Sequence, residues 1–62
     1  MFFISVVFVV RGIDNKNQAQ IRGFLGKSLE DCIQKMHKSK DEMRIAGTPV
    51  IQHTIIDIEF KE

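Results

Sequence analysis

The first ten residues, MFFISVVFVV, hold nine apolar side chains and one serine. Phe2, Phe3, Ile4, Val6, Val7, Phe8, Val9 and Val10 are aromatic or β-branched, the residue types that favour extended backbone. A membrane-spanning helix needs about 20 apolar residues, roughly twice this run. A secretory signal carries a basic region ahead of its apolar run and small residues at a cleavage site. Here Arg11 follows the run, and RGIDNKNQ offers no such site. The run therefore reads as a strand, whose alternate side chains point to opposite faces. The even face (Phe2, Ile4, Val6, Phe8, Val10) is wholly apolar. The odd face (Phe3, Ser5, Val7, Val9) is nearly so until Arg11. A strand apolar on both sides belongs in the middle of a sheet and needs cover on each face.

A chain of 62 residues makes one domain, residues 1–62, with little interior to stabilise it. Cys32 is the sole cysteine, so no disulfide forms within the chain. One Cys and two His supply too few soft ligands for a structural zinc. No metal or cofactor is expected, and a second subunit or a docked protein is the support that remains. Nine Lys and Arg face eight Asp and Glu, a balance less basic than that of a dedicated nucleic-acid module. The single thiol fits a reducing, cytoplasmic setting.

The cluster GIDNKNQ (12–18) is rich in turn formers. AQIRGFLG (19–26) reads as a second strand, weakened by Gly23 and Gly26 and suited to a sheet edge. From residue 28 the pattern becomes helical. Ser28 is an N-cap, Glu30 and Asp31 suit the first turn, and Asp31 completes a short capping box. Leu29, Cys32, Ile33, Met36 and Met43 recur on one face, interrupted by Lys40. Gly47 and Pro49 end the segment, so the helix spans about 29–45. Residues 50–62 form a third strand. Uninterrupted alternation puts Ile56, Ile58 and Phe60 on one side, with Ile51, His53, Ile55, Asp57 and Glu59 on the other.

The order β-β-α-β predicts an α+β fold. A hairpin pairs the first two strands, and the helix returns the chain so that the third strand pairs with the free edge of the first. The result is a three-stranded antiparallel sheet of order 2-1-3 with one helix packed on one face. That helix takes the even residues of the first strand. The expected open face holds Phe3, Ser5, Val7 and Val9 beside Ile51, His53 and Ile55, an apolar patch of the kind that marks a contact site.

Chemistry-bearing residues are sparse. His37 reads as a half-exposed helix residue and Cys32 as a small buried hydrophobe. His53 and Asp57 lie roughly 13 Å apart at strand rise, too far to share a metal or form a dyad. GFLGKS lacks the spacing of a phosphate-binding loop. No catalytic residue emerges, and an enzyme is not expected. The first expectation is a small protein-binding protein of accessory or inhibitor type, such as mobile elements encode, working as a homodimer through its open sheet face or docking on another protein. The alternative is a nucleic-acid-binding regulator that uses Lys35, Lys38, Lys40 and Arg44 on the second half of the helix. The stretch GFLGKSLEDCIQKM is faintly similar to the strand-turn-helix start of HicB-like antitoxins, which gives that alternative an antitoxin form. No membrane partner is expected.

Overall fold

The computed structural model describes residues 1–62. Strand β1 spans Phe2–Arg11, β2 spans Asn17–Gly26, helix α1 spans Leu29–Ile45 and β3 spans Val50–Phe60. The sheet is antiparallel with order β2-β1-β3, as the residue pattern predicts. The hairpin closes through Gly12, whose N–H donates to the Lys16 carbonyl at 2.9 Å, and through Asn15 at φ 65°. Asn tolerates that left-handed conformation better than most side chains. β2 begins two residues earlier than its propensity suggests, because Asn17 and Gln18 pair in register with Arg11 and Val10.

The core is the even face of β1. Ile4, Val6, Phe8 and Val10 are buried against Cys32 and Met36 of α1, with Phe24, Met43 and Val50 packed around them. Leu29 and Ile33, which share the helical spacing, lie at the margin and stay partly exposed. Ser28 caps the helix, its Oγ accepting the Asp31 N–H at 3.1 Å. The reciprocal half of the capping box does not form. Asp31 Oδ2 instead accepts the Lys27 N–H at 3.1 Å, where the bare Cα of Gly26 leaves room for the carboxylate. At the other end Gly47 turns the chain at φ 88°, the conformation for which glycine is favoured after a helix.

The first half of α1 lies along β2, where Lys35 Nζ donates to the Leu25 carbonyl at 2.6 Å. Further on, Lys40 and His37 reach β3 at His53. A helix about 10 Å across cannot cover three strands spaced about 4.8 Å apart. Near the start of α1, Ile58 and Phe60 of β3 therefore stay uncovered on the helix side, with Phe60 edge-on to Phe2 at 5.1 Å between ring centroids. Seven of 62 residues are buried, so the isolated chain has a thin interior and much apolar surface left to cover.

Two register shifts interrupt the β1–β3 ladder, between Ser5 and Val6 and between Val9 and Val10. Ile56 and Ile51 are the extra residues of β3 and have no partner on β1. Each insertion exchanges the faces of the residues beyond it. His53 and Ile55 therefore pair with Phe8 and Val6 and lie on the helix side, not on the open face that an uninterrupted alternation predicts. Gln52 and Thr54 take their place. Ile56, expected on the helix side, and Ile51, expected on the open face, both stand at the insertions.

Candidate protein interface

The face of the sheet away from α1 is built from three rows. β1 contributes Phe3, Ser5, Val7 and Val9, all partly exposed, and Arg11 at the end. β2 contributes Ala19, Ile21, Gly23 and Leu25, which pair with Val9, Val7, Ser5 and Phe3. β3 contributes Gln52, Thr54, Asp57 and Glu59. Ile21 is 73% exposed and Leu25 43%. No element of the chain lies over this face. Its middle is apolar, its β3 row carries the acids, and Arg11 of β1 sits at the opposite end from Glu59.

Two local contacts shape one end of it. The Phe3 ring lies across Gly23 so closely that a Cβ there would fall 2.4 Å from the ring. Glycine in the strand thus gains aromatic cover in place of a side chain of its own. Lys61 Nζ stands 5.5 Å from the centre of the same ring and 3.7 Å from Glu59. The Met1 ammonium donates to the Lys61 carbonyl at 2.8 Å, and the Lys61 N–H donates to the Met1 carbonyl at 2.6 Å. These bonds hold the end of β3 beside the start of β1.

Phe3, Ser5, Val7 and Val9 share the face as expected, whereas His53 and Ile55 do not. The β2 row adds to this face residues beyond those expected from β1 and β3, and its alternation is legible in the sequence: Ala19, Ile21 and Leu25 on one side, Gln18, Gln20 and Arg22 on the other. The signal for Asp57 and Glu59 was also present. The signal for the β3 insertions was not, because an apolar run such as TII reads the same with or without an extra residue.

His53 instead joins a basic cluster on the helix side. Its Nδ1 lies 3.0 Å from Lys40 Nζ, and its ring meets His37 edge-on at 6.1 Å between centroids. Partial loss of water beside Lys40 and His37, then the positive charge of Lys40 and of His37, hold the His53 pKa below its usual 6.5. The unfolded chain therefore binds a proton at a higher pH than the folded chain does, so folding stability falls as pH drops below about 6.5 and levels off below the folded-state pKa. Thermal melts between pH 7.5 and 5 are expected to show this decline, with a smaller slope in His53→Gln. An equal slope in the variant would remove His53 as its source.

The residues of the basic alternative are dispersed. Lys35 is held at β2, 3.7 Å from Asp31, and Lys40 turns to β3. Lys38 is exposed, and Arg44 lies 3.9 Å from Asp41. Cys32 is buried, its Sγ donating to the Phe2 carbonyl at 3.4 Å. No cavity forms, and no three His, Cys, Asp or Glu side chains converge. No helix is long and apolar enough to cross a membrane. No family model, curated protein or solved structure matches the chain.

Proposed function

We propose that this chain is a non-enzymatic protein-binding protein of accessory or inhibitor type that works as a homodimer through its open sheet face, in a reducing compartment such as the cytoplasm. The observation that carries the reading is the second face of β1. Phe3, Val7 and Val9 form the middle row of an apolar surface that continues through Ile21 and Leu25 and lacks cover within the chain. Contiguous exposed apolar patches of this kind are contact sites. The thin interior supports the same reading, since small domains gain stability by association. The accessory or inhibitor role is an analogy with other small cofactor-free domains. The basic helix end supports the nucleic-acid alternative less well, because Lys35 and Lys40 are drawn to opposite flanks of α1 by β2 and β3.

Light scattering on the purified protein tests the interface. The native chain is expected at twice its 7.2 kDa mass. Val7→Glu, which sets a carboxylate in the middle of the apolar row, is expected at the mass of one chain with an unchanged circular dichroism spectrum. A Val7→Glu protein that keeps the double mass would exclude this face as the interface.

A further inference from the structure

We infer that two copies stack open face on open face with their strands running in opposite directions, about a two-fold axis that crosses the strands at Val7. This rests on the reading of the open face as a self-interface and fixes its geometry. The pairing register divides the face into levels. Ile21 and Thr54 flank Val7, Ala19 and Gln52 flank Val9, Gly23 and Asp57 flank Ser5, and Leu25 and Glu59 flank Phe3. Arg11 lies one level beyond Val9.

An axis across the strands at Val7 keeps each strand over its own counterpart and exchanges the levels on either side. Val7 then meets the partner's Val7, and Ile21 meets the partner's Ile21. Ala19 comes over the partner's Gly23, where its small side chain leaves room for the Phe3 ring that covers that glycine. Gln52 comes over the partner's Asp57, an amide donor facing a carboxylate. Arg11 reaches the level of the partner's Phe3 and Glu59. Arg11 and Asp57 take part in no ion pair within the chain, so this stacking gives both a partner of opposite polarity.

The other two-fold stacking, about an axis along β1, fails on the same residues. It sets β2 over the partner's β3, with Leu25 against the partner's Glu59 and Gly23 against the partner's Asp57. Asp57, which has no ion-pair partner in its own chain, would lose water without a donor, which is costly, and Arg11 would face the partner's Arg11.

Charge exchange tests the stacking, because Arg11 and Glu59 are about 26 Å apart along one sheet at strand rise and cannot pair within a chain. Dissociation constants would be measured by analytical ultracentrifugation for the native protein, Arg11→Glu and Glu59→Arg, with circular dichroism to confirm folding. Each variant alone places like charges together twice and is expected to dimerise roughly ten-fold or more weakly. Mixed one to one, the two variants restore both opposite-charge pairs, and a heterodimer close to native affinity is expected. Variants that dimerise as tightly as the native chain, or a mixture that fails to recover, would overturn this stacking while leaving a dimer of another geometry. A native chain that stays monomeric would overturn the self-interface itself.

Discussion

Phe8→Ala is expected to abolish the cooperative thermal transition of this protein. Phe8 is fully buried at the middle of β1, with its ring 6.1 Å from that of Phe24. Emptying a buried phenylalanine site costs about 3–5 kcal/mol, because the lost transfer energy adds to that of the cavity left behind. A domain of 62 residues has roughly 3–9 kcal/mol of stability in all. The core consists of six apolar side chains in one layer between sheet and helix, so few neighbours can collapse into the space. Circular dichroism against temperature is the measurement. A sigmoidal melt with a midpoint within a few degrees of the native one would show that the interior is not confined to this layer.

Gly26→Ala is expected to produce the second largest loss, through crowding. Gly26 is the last residue of β2 and is buried where the helix begins. A Cβ there would lie 2.8 Å from Asp31 Oδ2 and 2.9 Å from the Cys32 backbone nitrogen. The carboxylate could turn aside only by giving up the Lys27 N–H and its place near Lys35. The Cys32 backbone could move only by lifting α1 from the sheet. Forced overpacking of this kind costs about 1–3 kcal/mol. Urea titration is expected to show a lower midpoint with an unchanged slope, the signature of lost stability without a change in the surface exposed on unfolding. An unchanged midpoint would mean that the helix start yields without cost. Gly23→Ala makes an instructive contrast, since the obstacle there is the tip of the Phe3 ring, a side chain at an open surface.

Most of the scaffold was legible because local chemistry and topology agree. The apolar run on both faces of β1 required a central strand, and the chain order placed it there. Ser28, Gly47 and Pro49 bounded the helix within the observed Leu29–Ile45. The face of β1 away from the helix was legible for the same reason, since strict alternation over Phe3, Ser5, Val7 and Val9 has no competing register. β3 was misread in its first half. Facing in a strand depends on counting residues by twos, and the extra residues Ile51 and Ile56 break the count without altering composition. His53 thereby moved from a contact surface to a cluster with Lys40 and His37, a change in chemical role caused by backbone pairing alone.

Those same extra residues bear on what happens to the chain when it is crowded. β3 is an outer strand of 11 residues, rich in isoleucine, with one edge of its backbone unpaired. A flat strand of that composition is a template for further strands, and head-to-tail addition along such an edge has no natural end. The insertions at Ile51 and Ile56 twist the edge and put its hydrogen-bonding groups out of step. Recruitment of a neighbour along this edge into an open-ended fibre is thereby disfavoured, whereas the pairing proposed for the open face would close at two copies.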